Sequence, residues 1–416
     1  MITSVSVPPA GVPRAAHTLA TIQRGGATLA RLTTLTVTTR PRYSSRAAAA
    51  ATTITGMSSD AVTDAGLQHL AALCHTVLRC VTLLHCAELS DLFVASIATS
   101  FRRMELLNFD GCARLGDETM RSILSPHSQS RLTVLCFARC VGLTDQGIQF
   151  LTDSYASTTQ SLTHLNLTCC NGVTAASIPR LASLSQLKFL DLTGTAVLCT
   201  IDMLGAAGQG LGVLQVLNLT AWRLVSCAAV LQLFPQLQKL TLDGAAQCLL
   251  EDHIHDLPPP GAAAARGVQS LSLQWSRAAS VAPLAAIVQR CTNLTHLALS
   301  GSECVTDAML SMIATTLHHV HTLELQRVDT ITDRGVGSLV ALKHLRHLDL
   351  MGCAQVAALE AAEFQSMQLL TFLNVAGLDG ATHPTSFMPL ASLMRQANRL
   401  QTLLISANFF TSAVRC

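Results

Sequence analysis

The chain has 416 residues, 27 Lys and Arg against 25 Asp and Glu, a formal net charge of +2, and only 12 % charged residues against 50 % hydrophobic ones. Mean hydropathy is +0.41, yet no run of 18 apolar residues occurs, which argues against a membrane-spanning helix. The fifteen cysteines include no Cys-x-x-Cys pair, so zinc-ribbon and thioredoxin-type sites lack support, and the thiols read as reduced in an intracellular protein.

In chain order, residues 1–50 form a basic extension. Up to residue 59 there are six arginines (14, 24, 31, 40, 42 and 46), no lysine and no acid. Such a composition marks a mitochondrial transit peptide, and "RAAHTLATIQRGGATLARL" (14–32) has the makings of a basic amphipathic helix, weakened by Gly25-Gly26. The alternative is a degenerate capping repeat, because "LTTLTV" (32–37) is itself a strand pattern.

From residue 51 onward the chain is read as one repeat domain, 51–416. The pattern Leu-x-x-Leu-x-Leu, with apolar substitutions, starts at 78, 104, 132, 162, 187, 214, 237, 268, 294, 320, 345, 370 and 400. The intervals run from 23 to 31 residues, which is the period of leucine-rich repeats with a few short insertions. Each alternating segment predicts a short strand with its leucines inward. The expected fold is an α/β, right-handed leucine-rich-repeat solenoid (a horseshoe) of about 13–15 repeats, with parallel strands on the concave face and helices on the convex face. An unbroken solenoid overrides the length prior of about two or three globular domains.

Four repeats announce their helix with a Thr-Asp pair, in "VTDAGLQHL" (62–70), "LTDQGIQFL" (143–151), "VTDAMLSMI" (305–313) and "ITDRGVGSL" (331–339). Thr or Asp there serves as N-cap, accepting hydrogen bonds from the free backbone N–H groups of its helix. Cysteine recurs eight residues after the first repeat position, at Cys86, Cys112, Cys140, Cys170 and Cys353. Other repeats place Thr195, Trp222, Ala245, Ser276, Ser302, Val328, Leu378 or Asn408 there. The position follows the strand, where the chain turns inward, so a small apolar residue packs well and the cysteines read as buried and inert. Cys169 falls on the solvent side of the same turn.

Together, the cysteine column and the Thr-Asp-x-Gly helix start resemble the cysteine-containing subclass of leucine-rich repeats. That subclass is best known from F-box/leucine-rich-repeat proteins, the substrate receptors of cullin-based ubiquitin ligases. The resemblance covers about residues 51–416 and implies a role in selecting substrates or partners in an SCF-type ligase. Residues 1–59 do not match an F-box: Pro8-Pro9, Gly25-Gly26 and the Thr-rich run depart from its helical, Leu-Pro-initiated pattern.

No catalytic motif is present, so no enzyme activity, cofactor, metal site or small-molecule substrate is expected. "EDHIHD" (251–256), ahead of Pro258-Pro259-Pro260, offers carboxylates and imidazoles but reads as a solvated loop insertion. His318, His319 and His321 read as turn histidines. The expected site is the concave face, built by residues between the leucines. Its middle column runs Thr82, Asn108, Cys136, Asn166, Asp191, Asn218, Thr241, Ser272, Ala298, Glu324, Asp349, Asn374, Leu404, flanked by Asp110, His164, Lys239, Asp243, His296 and His347. Five acids (110, 191, 243, 324, 349) against one lysine argue against nucleic acid, which needs clustered Lys and Arg. The partner predicted for Asn108, Asp110, His164, Asn166, Asp191, Asn218, Asp243, Glu324, His347, Asp349 and Asn374 is therefore a protein. No membrane insertion is expected, and the location is cytoplasmic or, with a transit peptide, mitochondrial.

Overall fold

The computed structural model describes residues 5–6, 34–38, 52–55, 79–92, 94–95, 104–124, 132–157, 162–195, 199–223, 226–245, 257, 267–276, 281–356, 367–378 and 399–405, with backbone alone for the first three segments and 155–157. The chain divides into two units, Met1–Leu214 and Gln215–Cys416. Each is a parallel sheet backed by helices.

Every expected repeat motif contributes a strand. In the first unit these are β4 (Cys80–Leu84), β5 (Leu106–Asn108), β6 (Val134–Cys136), β7 (His164–Asn166) and β8 (Phe189–Asp191). Earlier strands are β1 (Val5–Ser6), β2 (Thr34–Thr38) and β3 (Thr52–Thr55), and the order is β1-β3-β2-β4-β5-β6-β7-β8. β2 pairs in parallel with β4, placing Thr36 opposite Thr82. The second unit holds β9 (Val216–Asn218), β10 (Lys239–Thr241), β11 (Ser270–Ser272), β12 (His296–Ala298), β13 (Thr322–Glu324), β14 (His347–Asp349), β15 (Phe372–Asn374) and β16 (Thr402–Leu404), in sequence order. Among the described residues the strand pairings are parallel and keep equivalent repeat positions opposite one another, as in Glu324 with Asp349 and Asp349 with Asn374.

The repeat spacing explains the core. The three inward positions of a repeat, such as Leu162, Leu165 and Leu167 or Val320, Leu323 and Leu325, are at most 1 % exposed. Each fully buried leucine contributes about 2 kcal/mol by area removed from water. The offset-eight column is buried too, at Cys86, Cys112, Cys140, Cys170 and Cys353, and equally at Thr195, Trp222, Ala245, Ser276, Ser302, Val328 and Leu378. Several of its polar atoms donate to a carbonyl one repeat back: Cys140 Sγ to Phe109 O at 3.2 Å, Cys170 Sγ to Phe137 O at 2.9 Å, Cys353 Sγ to Leu325 O at 2.9 Å, and Ser302 Oγ to Leu273 O at 3.1 Å. A small donor therefore suits this position better than a plain aliphatic. Trp222 fills the same position with a large, fully buried ring.

Helices in the first unit include α1 (Asp117–Ile123), α2 (Asp145–Ser157), a 3-10 helix over Ala175–Ser183 and α3 (Ile201–Gly208), each packed on the next. Pro179 lies inside the 3-10 segment and withholds a backbone donor there. The second unit has α4 (Cys227–Leu233), α5 (Ala282–Arg290), α6 (Asp307–Thr316) and α7 (Asp333–Ser338), with α5 on α6 and α6 on α7.

The Thr-Asp pairs do more than cap their own helices, which corrects the expectation for the aspartates. The threonines are the caps: Thr306 Oγ1 accepts from Met309 N and Thr332 Oγ1 from Arg334 N. The aspartate reaches across to the next repeat. Asp117 accepts from Thr144 N at 2.8 Å, Thr144 Oγ1 at 2.6 Å and Gly147 N at 2.9 Å. Asp145 repeats this with Thr174 N, Thr174 Oγ1 and Ser177 Oγ. Asp307 takes Thr332 N at 2.8 Å and Thr332 Oγ1 at 2.6 Å. Asp91, which like Asp117 no Thr-Asp pair announced, accepts from Gly116 N and Thr119 N. The glycine of the motif follows from this contact. A Cβ on Gly147 would lie 2.5 Å from Asp117 Oδ1, and one on Gly335 would overlap Asp307 Oδ1 and lie 3.1 Å from its Cα. Thr63-Asp64 lies outside the described residues.

Candidate functional site

The strand register gathers the predicted residues into lines. Asn108, Cys136, Asn166 and Asp191 are successive partners in the first unit, with His164 one column over beside Phe189. In the second unit Asn218 begins a line through Thr241, Ser272, Ala298, Glu324, Asp349 and Asn374. Asp110 and Asp243 lie two residues beyond their strands, and His347 shares β14 with Asp349.

These side chains do not simply face solvent, as the alternation implied. Asp349 is 4 % and Asn374 5 % exposed. Most middle-column Asn and Asp residues turn their oxygen onto the backbone N–H two residues on. Asn108 accepts from Asp110 N, Asn166 from Thr168 N, Asp191 from Thr193 N, Asn218 from Thr220 N, Asp349 from Met351 N and Asn374 from Ala376 N, all at 2.9–3.2 Å. These are Asx turns at the strand exits. The residues either side of the bonded N–H donate into the parallel ladder, as Phe109 N does to Cys136 O and Gly111 N to Ala138 O. The N–H between them needs a side-chain acceptor, and a middle-column Asn or Asp supplies one. The line is thus structural and surface-forming together.

A second column escaped the sequence reading. Three residues after each middle-column position from Thr82 to Asn374 the backbone takes positive φ. The positions are His85, Gly111, Arg139, Cys169, Gly194, Ala221, Gly244, Trp275, Gly301, Arg327, Gly352 and Gly377. The conformation is imposed by the ladder, since at ten of these twelve positions the N–H reaches the next repeat: Trp275 N meets Ser300 O and Arg327 N meets Met351 O, both at 2.7 Å. Six glycines at this offset were the available signal. Where the next position is glycine, the larger side chain leans over it: His85 over Gly111, Cys169 over Gly194, Trp275 over Gly301 and Arg327 over Gly352. Arg139 faces Cys169 on the next repeat and folds back instead. Its guanidinium bonds Asp110 Oδ2 at 2.6 Å and lies 3.5 Å from His85 Nε2. Asp110 Oδ1 is buried with no hydrogen-bond partner.

Charge is handled differently in the two units. The first has ion pairs at Arg79–Glu105, Arg114–Glu88 and Arg139–Asp110. On the second unit's face the carboxylates meet neutral donors. Asp243 Oδ1 accepts from Ser272 Oγ at 2.5 Å and Gln274 N at 2.9 Å; Glu324 Oε2 from Gln274 Nε2 at 3.0 Å; Asp349 Oδ2 from Gln326 Nε2 at 2.7 Å. Among the described residues none of these three has an ion-pair partner.

The face also carries stacked rings. His347 lies on Phe372 with centroids 3.9 Å apart and planes 2° from parallel, and His164 stacks on Phe189 at 5.7 Å. Burial holds both imidazoles below their usual value; Lys188 adds to this at His164, while Glu324 and Asp349 oppose it at His347. His319 and His321 pack against His344, which the sequence reading had not singled out. His321 is lowered by burial and by Arg346, His344 and other histidines. Burial pushes the Cys136 and Cys170 thiols up to about 12 and that of Cys353 to about 11, so they stay protonated at neutral pH. Among the described residues no group of three His, Cys, Asp or Glu is placed to hold a metal ion. The "EDHIHD" segment lies outside them. No helix of the described residues is long and apolar enough to cross a membrane.

Strand register, leucine core and the turn columns define a leucine-rich-repeat protein with the α/β solenoid fold. Among family models, one described as Leucine Rich repeat matches residues 159–177, the segment of β7 and the Cys170 turn. No curated protein matches the chain. Among solved structures, an internalin from Listeria monocytogenes is similar at 13 % identity and a TM-score of 0.46, covering 74 % of this chain and 82 % of that one. A TLR13–ssRNA13 complex is similar at 18 % identity and a TM-score of 0.48, covering 90 % of this chain and 54 % of that one. The yeast Rad7–Elc1 complex is similar at 16 % identity and a TM-score of 0.44, covering 76 % and 84 %.

Proposed function

We propose that this chain is a non-enzymatic interaction scaffold that captures a protein partner on its sheet face, as a substrate- or partner-selecting subunit of an SCF-type ubiquitin ligase. The supporting observation is the face itself: in the second unit eight parallel strands in constant register present aligned polar and aromatic columns. The ligase assignment is supported by the cysteine column joined to Thr-Asp-x-Gly helix starts, the combination that resembles F-box/leucine-rich-repeat proteins. A second reading, a mitochondrial factor that assembles a membrane complex, draws on the acid-free, arginine-bearing residues 1–59.

One experiment separates them. C-terminally tagged full-length chain and a form lacking residues 1–50 are expressed in cells, located by microscopy and captured with their partners. The ligase reading expects both forms in the cytoplasm, with a cullin and its adaptor among the captured proteins. Organellar location lost on removing residues 1–50, with no cullin captured, overturns it in favour of the second. For the face itself, Ser270→Arg with Thr322→Arg, first-column residues of β11 and β13 outside the Asx turns, should abolish capture while leaving the melting temperature unchanged.

A further inference from the structure

Trp275 is half exposed, on a turn that otherwise alternates with glycine. Its ring covers the backbone of Gly301 in the next repeat, where a Cβ would overlap it. Among the described residues of this unit the other large exposed hydrophobic is Leu404, five strands away in β16. Among the described residues Trp275 therefore belongs to no patch of large exposed hydrophobics.

Its sequence neighbour Gln274 bonds two carboxylates that have no ion-pair partner among the described residues. Gln274 crosses the repeat between, over the small residues Ala298 and Ser300, to bond Glu324 Oε2 at 3.0 Å, while its backbone N–H bonds Asp243 Oδ1 at 2.9 Å. This one residue ties both carboxylates to the repeat that carries Trp275. Its donors are neutral, so two formal negative charges remain on the face beside an indole. Lys239 sits in the first column of β10, and Arg327 leans away over Gly352. An aromatic face and carboxylates together attract a cation, with cation–π attraction of about 0.5–2 kcal/mol added to the Coulomb attraction.

We propose that Trp275 and Glu324 receive the guanidinium or ammonium group of an Arg or Lys side chain in an extended basic segment of the protein partner, with Asp243, three strands from Glu324, adding longer-range attraction. The inference rests on the reading that the sheet face binds a partner, and it names what that partner must present.

The chain has two tryptophans, and Trp222 is fully buried, so quenching of intrinsic fluorescence reports on Trp275. The full chain is titrated with caesium and with iodide at equal ionic strength, then with a Gly-Arg repeat decapeptide and its Gly-Glu counterpart. Relative to their quenching of free N-acetyltryptophanamide, caesium should be favoured over iodide, and only the arginine probe should give a saturable change. Glu324→Gln with Asp243→Asn keeps the acceptor oxygens for Gln274 and Ser272 and so spares the fold. It should weaken the arginine probe about 10-fold, the equivalent of roughly 1.4 kcal/mol. Glu118→Gln, an exposed helix-side change in the first unit, should leave it unaltered. A preference for iodide on that relative scale, or equal binding of both peptides, overturns the proposal. So does an arginine affinity that the double variant retains. If the probe fails while Ser270→Arg with Thr322→Arg still abolishes partner capture, the cation site alone is wrong. If the face variant also keeps its partner, the reading beneath it is wrong.

Discussion

Replacing Asp307 by alanine should destabilise the second unit by about 2–4 kcal/mol. The carboxylate accepts from Thr332 N at 2.8 Å and from Thr332 Oγ1 at 2.6 Å, and so joins the start of α6 to that of α7. A hydrogen bond to a charged group is worth about 1.5–3 kcal/mol. Asp307 is half-buried, so water recovers part of two such bonds, which leaves the stated range. In a unit of about 200 residues, 1 kcal/mol moves Tm by about 2–4 °C, giving a fall of roughly 5–15 °C. Asp307→Asn keeps one acceptor and loses the charge, so about 1 kcal/mol is expected. Urea and thermal unfolding followed by circular dichroism measure both. Solenoid stability is a sum of repeat and neighbour-interface contributions, so the loss should appear as easier separation at the α6–α7 junction, with raised amide exchange there. An alanine variant within about 0.5 kcal/mol of wild type would refute the claim that the aspartate couples repeats, and would reduce it to a surface residue.

Native thiol labelling at pH 8 should modify Cys169, which is exposed, and spare Cys140, Cys170 and Cys353, which are buried and raised in pKa; rapid labelling of Cys170 in folded protein would contradict the packing role. The pKa values of His164, His321 and His347 are lowered on folding, so unfolding takes up protons as pH falls below about 6.5. Their contribution is complete above that value and is lost as pH falls through the lower folded values; Tm should therefore drop between pH 7.5 and 5.5, and His347→Gln should flatten the profile. Gly301→Ala, at φ +66° and beneath the Trp275 ring, should cost about 1–3 kcal/mol and raise acrylamide quenching as the indole is displaced. Trp275→Ala in the same chain should recover only part of the stability, because the φ cost remains.

The strands were legible because a solenoid repeats one burial pattern: inward leucines at alternate positions placed all of β4 to β16 from the letters alone. The offset-eight column was legible for the same reason, since Cys170 and Trp222 occupy equivalent buried sites. Contacts between repeats were not. Asp307 and Thr332 are 25 residues apart, and a helix-start motif read within one repeat assigns the aspartate to its own helix. The candidate face was half legible. Alternation identified the columns but could not show that Asp349 and Asn374 spend an oxygen on their own strand exits. The positive-φ column was hidden by its chemistry: six glycines marked it, but Trp275 and Arg327 occupy the same conformation without any mark in the sequence.

The sheet face as the partner-binding surface is tested most directly by site-specific photocrosslinking. A benzoylphenylalanine is placed in living cells at Thr322, in the first column of β13, and in a second chain at Ser311, exposed on α6. The account predicts a discrete covalent adduct from position 322 and none from 311. Adducts from 311 with none from 322 would place the binding surface on the helices and contradict it.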